Sequence, residues 1–237
     1  TTTGGTGTAG GGGTTTGGGG GGTGNDPLVT YGQKYEGGQF HLAPVDWDET
    51  QWHNACAPST KYASAIRQAE GTLLAGLWSG IPNVASYCDA CIYVTTAKGK
   101  TAMLRVVTYG DTSPNSIDVS PDAYKILDSG EYPRQMSWQF AKCPATGNVT
   151  YEFQTGSSLW VRNARVPIAK VEVQSQKHGA FAPLTRGGDG TLTDNAGFGK
   201  GNFTIRLTGV DGSQVNDTFP WPAAGIAGQS LTGTNFN

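Results

Sequence analysis

Three side chains near the middle of the chain could carry out acid–base chemistry. Tyr109 and Asp111 come first, and Asp118 follows between the apolar residues Ile117 and Val119. A carboxyl group in an apolar setting, with an aromatic hydroxyl and a second carboxylate nearby, is suited to giving and taking protons. A pair of carboxyl groups is also what cleavage of an uncharged sugar polymer requires. These residues therefore predict a site that acts on a neutral polymer.

The composition favours a neutral partner. Charged residues make up 14% of the chain, and the formal net charge is −2. Because no basic face is evident, we expect neither nucleic acid nor an anionic membrane surface as a partner. Six Trp and nine Tyr supply flat rings that can stack on sugars. The three histidines, His41, His53 and His178, lack metal-ligand spacing, so we expect no metal and no cofactor.

The first part of the chain is unsuited to folding. Residues 1–24 contain only Thr, Gly and one Ala. Such sequence has high chain entropy and nothing to bury, so it is typical of a flexible linker. We expect a catalytic domain to precede this linker, and we expect the protein to be a monomer. No run of 18 apolar residues occurs, so no membrane-spanning helix is expected.

The remainder divides into two predicted domains. Strand-like and short helical segments alternate over residues 25–143, with a helix predicted at 121–127 because Pro stands at its start. Residues 149–153, 169–173 and 202–207 then show the alternation of half-buried strands, and Gly-rich turns separate them. The sequence therefore predicts a mainly β protein, with a mixed β-barrel at 25–143 and an Ig-like β-sandwich at 144–237.

Four cysteines point to an oxidising compartment. Cys88 and Cys91 form a C-x-x-C motif, which occurs in redox pairs and in zinc sites. A redox pair usually opens a helix, whereas Cys91 runs into a strand-like segment, and Cys56 and Cys143 are isolated. Two structural disulfides are therefore favoured, with three possible pairings, and they predict a secreted, extracellular protein.

Five groups of segments together resemble the microbial expansins, in which a double-psi β-barrel precedes a carbohydrate-binding β-sandwich. The first resembles the opening barrel strand, the second carries cysteines, the third carries the acid, the fourth is the domain junction, and the fifth lies in the second domain. They are residues 30–32 with 37–40, 55–57 with 88–91, 117–121, 143–151, and 161–167 with 217–220.

The resemblance implies a pairing and a function. The expected disulfides are Cys56–Cys88 and Cys91–Cys143. Expansins loosen plant cell walls without evident hydrolysis, by disrupting contacts between cellulose and other glucans. Asp118 matches the key acid of the family, which corresponds to the general acid of family-45 endoglucanases. Thr30 and Tyr109 match other groove positions, and Asp111 stands where the family often has Glu. Because bacterial modules of this family are sometimes fused to a cellulase, the resemblance implies that the upstream domain is a cellulase.

One departure bears on catalysis. Where the family commonly has a second Asp, this chain has Val107. An inverting glycosidase needs an acid and a base about 6.5–9.5 Å apart, and Asp111 is the other candidate base, in a turn. Asp118 also precedes Ser120 and Pro121, where it could cap a helix. Two alternatives to wall loosening remain, an endoglucanase or lytic transglycosylase that uses Asp118, and a pure carbohydrate-binding module.

A second departure concerns the aromatic strip with which relatives bind cellulose. The loop before Val161 is shorter than in the family, and Trp160 is the ring that remains in it. The position of a third aromatic falls in residues 186–189, which contain none. We therefore expect weaker cellulose binding, with Trp160, Phe181, Trp47 and Trp52 as the candidate carbohydrate-binding rings.

Overall fold

A computed structural model of the chain describes residues 27–43, 55–56, 71–145 and 147–237. In the first half, six strands close into a barrel in the order β1-β5-β2-β4-β3-β6. The β1–β5 and β2–β4 pairs are parallel, and the others are antiparallel. The six strands are β1 Thr30–Leu42, β2 Leu74–Trp78, β3 Cys91–Thr96, β4 Thr101–Gly110, β5 Ile117–Val119 and β6 Gln135–Ala141.

Alternate side chains along the strands fill the interior of the barrel. In β4, Ala102, Leu104 and Val106 point inward, and they join the core that includes Ile92 and Trp138. Period-two alternation of this kind places one side of a strand in the core and leaves the other side for function. On the other side, the residues of β1, β2 and β5 range from exposed to buried.

A short helix, α1 (Pro121–Leu127), follows β5 directly, and this confirms the helix predicted there. The Ser120 hydroxyl accepts a hydrogen bond from the backbone N–H of Ala123, and Pro121 occupies the first turn, where its missing N–H costs least. A single 3-10 turn covers Val84–Tyr87. Within the described ranges, no helix is long and apolar enough to cross a bilayer.

The second half forms two antiparallel sheets that share one core. The four-stranded sheet has the order β10-β9-β13-β14, and the five-stranded sheet has the order β11-β12-β8-β7-β15. Phe153 of one sheet meets Phe203 of the other at 5.9 Å between ring centroids. The strands are β7 Thr150–Phe153, β8 Ser158–Arg162, β9 Ile168–Ser175, β10 His178–Pro183, β11 Thr185–Arg186, β12 Leu192–Thr193, β13 Phe203–Gly209, β14 Gln214–Phe219 and β15 Ser230–Thr232.

This architecture confirms the predicted fold class, a mainly β chain with a closed barrel followed by a sandwich. The strands predicted within 149–153, 169–173 and 202–207 correspond to β7, β9 and β13. The exact domain boundaries stay a prediction. The linker at 1–24 and the candidate rings Trp47 and Trp52 lie outside the described residues.

Buried polar contacts connect the barrel to the sandwich. Asp89, which is 6% exposed, forms an ion pair with Arg105 at 3.3 Å. The same oxygen, Oδ2, also accepts the backbone N–H of Asn163 in the sandwich at 2.7 Å. Tyr31 packs against both hydrophobic cores. The two halves therefore meet over a surface that contains charge pairs as well as apolar side chains.

Two disulfides stabilise the barrel. Cys56 is bonded to Cys88, and Cys91 is bonded to Cys143. This is the pairing that the family resemblance implies. Cys143 also donates its backbone N–H to the carbonyl of Arg165 at 2.7 Å, so the second disulfide is tied to the sandwich as well.

Candidate functional site

Asp118 lies on the outer face of the barrel. Its neighbours Ile117 and Val119 are fully buried in the core, so alternation turns the half-buried Asp118 outward. In strand register, Asp118 is flanked by His41 of β1 and by Gly76 of β2. Gly76 is itself buried. Asp118 is therefore half-buried, on the outward side of a short strand.

The surroundings of Asp118 favour its neutral form. Burial raises the pKa of Asp118 above its ordinary value, and the negative charge of Asp111 raises it further. Positive charge on His41 acts in the opposite direction, but the net direction is upward. At mildly acidic pH, a larger share of this carboxyl group is thus protonated than in a free Asp. It can donate a hydrogen bond in that form and accept one when ionised.

Asp111 lies just beyond the end of β4, near enough to Asp118 to influence it electrostatically. It is exposed, in agreement with the turn predicted from its sequence. Gly110 precedes it, and a Cβ placed there would meet no atom within 4 Å. The edge of the site next to Asp111 is therefore open to solvent.

Val107, which replaces the second acid of the family, is covered. It is 1% exposed, and its carbonyl accepts the backbone N–H of Cys56 at 3.4 Å. Next to it, the hydroxyl of Thr108 accepts the N–H of Ala55 at 3.0 Å. The β2–β4 register skips Val107, as at a β-bulge. A side chain at this position is therefore buried.

Tyr109 is engaged by the sandwich. Its hydroxyl donates to the backbone carbonyl of Gly188, in the loop between β11 and β12. Burial raises the pKa of Tyr109, and the negative charge of Asp189 in the same loop raises it further. The sandwich loop thus reaches the end of β4, where the groove tyrosine was predicted. Its phenol is held as a hydrogen-bond donor between the two halves.

Thr30 occupies the other end of β1 from His41. It pairs with Ala141 of β6 and is exposed. The parallel register with β5 instead places His41 beside Asp118. Among the residues predicted for catalysis, Asp111 and Asp118 are brought together, whereas strand pairing does not bring Thr30 to them.

The candidate binding rings are not arranged as an open strip. Trp160 is 3% exposed, and the guanidinium of Arg162 lies 5.7 Å from the centroid of its ring. This burial argues against the predicted stacking role for Trp160. Phe181 is half-buried on β10, and the guanidinium of Arg206 lies over its ring at 3.9 Å. One face of the Phe181 ring is thus already in contact with a cation.

Sequence reasoning missed two participants. His41 was considered only as a metal ligand, and its position beside Asp118 depends on a parallel pairing between distant strands. The carbonyl of Gly188 is a backbone group, and the type of a residue does not indicate that its carbonyl will accept a hydrogen bond from a distant side chain. The Gly187–Gly188 pair was the available signal, because glycines often mark a close approach of backbone to a partner.

Comparisons with known proteins agree with the sequence resemblance. No protein-family model matches the chain. It is 29% identical over 203 residues to Expansin-YoaJ of Bacillus subtilis (strain 168). The aligned region covers 83% of this chain and 78% of that protein. The apo structure of an expansin from Clavibacter michiganensis has a TM-score of 0.66 at 20% identity, with 86% of this chain and 98% of that chain covered.

A second solved structure is an Asp-to-Asn mutant of the Clavibacter michiganensis expansin in complex with cellohexaose. It has a TM-score of 0.65 at 20% identity and covers the same shares of the two chains. At this identity the structural likeness establishes the fold, and the sequence match to Expansin-YoaJ extends over both halves. The chain is thus similar to bacterial expansins in sequence and in fold.

Proposed function

We propose that this protein loosens plant cell walls without hydrolysis, by binding cellulose or another neutral β-glucan along the face that carries Asp118. Cellohexaose, a β-glucan oligosaccharide, is bound by one structural relative. The net charge of −2 and the sparse charged residues suit an uncharged polymer. Wall loosening of this kind requires the protein to compete for hydrogen bonds between glucan chains.

The observation that carries the proposal is that Asp118 provides a carboxyl group, whereas Val107 provides none. Asp118 presents one half-buried carboxyl group on the outward face, whereas the position of the second acid of expansins holds an apolar side chain, Val107, that is 1% exposed. Inverting hydrolysis needs a base that activates water in addition to the acid. With a buried valine at position 107, the site keeps a hydrogen-bonding group and lacks that base at the position where expansins commonly have it.

Asp118 contributes as a hydrogen-bonding group whose protonation is tuned by burial. Its raised pKa leaves a share of the neutral acid at mildly acidic pH, and this form can donate to a glucan oxygen. A group that is both donor and acceptor can replace hydrogen bonds that a glucan chain makes to its neighbours. Loss of those bonds allows chains to slide without cleavage.

The compartment follows from the disulfides. Both Cys56–Cys88 and Cys91–Cys143 persist only under oxidising conditions. We infer that the protein acts after secretion, outside the cell, where cell-wall glucans are found. In this proposal the sandwich binds the polymer beside the barrel. The half-buried Phe181 remains a candidate ring for that contact.

A glycan-cleaving enzyme is the second candidate, because Asp111 lies close enough to Asp118 to raise its pKa. In that mechanism, Asp118 would be the general acid and Asp111 the base. Release of reducing ends from swollen cellulose and from mixed-linkage glucan separates the two. The proposal expects no release by the wild-type protein, whereas release that disappears in Asp118→Asn would establish the enzyme instead.

A further inference from the structure

Trp78 lies on the same face of the barrel as Asp118. In β2, Ala75 and Leu77 are fully buried in the core, so alternation directs the half-buried Trp78 away from that core, on the same side as the buried Gly76. Gly76 is directly opposite Asp118 in the β2–β5 pair. Trp78 is two residues farther along the same face, a diagonal separation of about 7–8 Å, which an aromatic side chain can span.

Two glycines, Gly80 and Gly110, lie next to Trp78. On the β4 side, Trp78 is in register with Gly110, where an added Cβ would meet no atom within 4 Å. In the turn after β2, a Cβ on Gly80 would lie 2.1 Å from Cζ2 and 2.4 Å from Cε2 of the indole. The ring is thus supported on one side by a residue that has no side chain. The neighbouring strand end leaves open space next to it.

The backbone around Trp78 is fixed by hydrogen bonds. Ser79 donates its N–H to the carbonyl of Gly110 at 2.7 Å, and Ile81 donates to the carbonyl of Trp78 at 3.3 Å. These bonds tie the turn to β4, and the indole also packs against the barrel core. A ring held in this way loses little conformational entropy when a ligand stacks on it, which favours binding.

Partial exposure distinguishes Trp78 from the core tryptophan of the barrel. Trp138 is 1% exposed, and its Nε1–H donates to the carbonyl of Asn115 at 2.9 Å. Trp78 remains half-buried, on the face with the acid. A rigid, partly exposed indole beside open glycine backbone has the form of a platform for the apolar face of a neutral sugar.

We propose that Trp78 is a glucan-binding platform on which one glucose ring stacks, in the space over Gly110 and next to Asp118. The proposal rests on the proposed function and names the contact that holds the chain at the acid. The stack supplies affinity for the apolar face of the sugar, and Asp118 engages its hydroxyl groups. Gly80 is a positioning residue, because it leaves room for the indole.

Binding of soluble cellohexaose, measured by calorimetry and by tryptophan fluorescence, tests the platform. We expect Trp78→Ala to lower the affinity at least tenfold, and Trp78→Phe to remove the emission change that cellohexaose causes. Gly80→Ala should lower the affinity at least threefold, because its methyl group displaces the indole. Gly179→Ala is the matched control, since a Cβ there meets nothing within 4 Å, and it should bind as wild type does.

The outcomes separate the platform from the function on which it rests. If the wild type binds cellohexaose and folded Trp78→Phe and Gly80→Ala variants bind it within twofold, with the emission change intact, the platform is refuted while the function stands. If the wild type binds no cellohexaose and extends no wall material, both fail. Should Trp78→Ala not fold, the Trp78→Phe and Gly80→Ala variants decide the matter.

Discussion

The hydroxyl of Tyr109 at the end of β4 donates to the backbone carbonyl of Gly188 in the sandwich. The bond connects the strand that leads to Asp111 with the loop between β11 and β12. Tyr109 is thus a connection between the two halves as well as a residue of the barrel. The face that carries Asp118 and the sandwich are held together at this point.

Replacement of Tyr109 by Phe should weaken the connection between the halves while leaving the barrel folded. Because the bond is exposed, its loss should cost about 0.5 kcal/mol of unfolding free energy, the low end of the usual range. Urea unfolding of Tyr109→Phe measures this loss. Tyr93→Phe, which alters a half-buried tyrosine of β3, is the control. Equal stabilities of Tyr109→Phe and wild type would show that the bond to Gly188 contributes nothing.

Protonation of Asp118 should change the stability of the protein in a predictable direction. Burial raises the pKa of Asp118 in the folded state, so folding disfavours its ionised form. The contribution of Asp118 to the unfolding free energy therefore falls as the pH rises from the unfolded value of its pKa, about 3.9, through the raised folded value. Asp118→Asn lacks this loss, and its stability relative to wild type should increase between about pH 3 and pH 7.

Asp122→Asn provides a control of opposite sign for that experiment. A hydrogen bond from Lys125 lowers the pKa of the exposed Asp122, so its contribution to stability is present at neutral pH and lost in acid. The stability of this variant relative to wild type should decrease as the pH rises. A parallel decrease in Asp118→Asn would mean that the Asp118 carboxylate is stabilised by folding, contrary to its described surroundings.

The two disulfides should each contribute substantially to stability. They close loops with sequence separations of 32 and 52 residues. The chain-entropy relation assigns about 3–4 kcal/mol to loops of this length. Replacing Cys56 and Cys88, or Cys91 and Cys143, by Ser should lower the guanidinium unfolding midpoint accordingly. An unchanged midpoint in either double variant would show that the corresponding bridge does not restrict the unfolded chain.

The buried ion pair between Asp89 and Arg105 should matter far more than an exposed pair. Removing Asp89 leaves Arg105 buried without this carboxylate and also removes the acceptor for the N–H of Asn163. We expect Asp89→Ala to cost about 3 kcal/mol of unfolding free energy. Asp122→Ala, which breaks the exposed pair with Lys125, should change it much less. Similar losses in the two variants would contradict this account of the interface.

Local sequence patterns predicted the helices and strands better than they predicted which of these elements lie next to each other. Helix α1 follows from Ser120 and Pro121, because capping and the fixed φ of proline act within a few residues. Alternation likewise predicted β7, β9 and β13. The position of His41 next to Asp118 depends on a parallel pairing between β1 and β5, which no local pattern specifies. Such contacts come from the closure of the barrel as a whole.

The candidate carbohydrate-binding rings show the same limit of prediction from local sequence. Trp160 was expected to stack on sugar because of its residue type and its place in the sequence. It lies instead in β8, where all five residues are buried, and this environment depends on what packs on both faces of the strand. Trp78 was not singled out from the sequence at all. Its exposure on the face of Asp118 became evident only from the β2–β5 register.

The extension of cellulose-containing wall strips under constant load tests the central claim most directly. We expect the wild-type protein to increase the rate of extension without releasing reducing ends, and Asp118→Asn to lose the increase. Asp122→Asn, an exposed carboxylate on α1, should retain it. Extension by Asp118→Asn at the wild-type rate, or extension accompanied by Asp118-dependent release of reducing ends, would contradict the account.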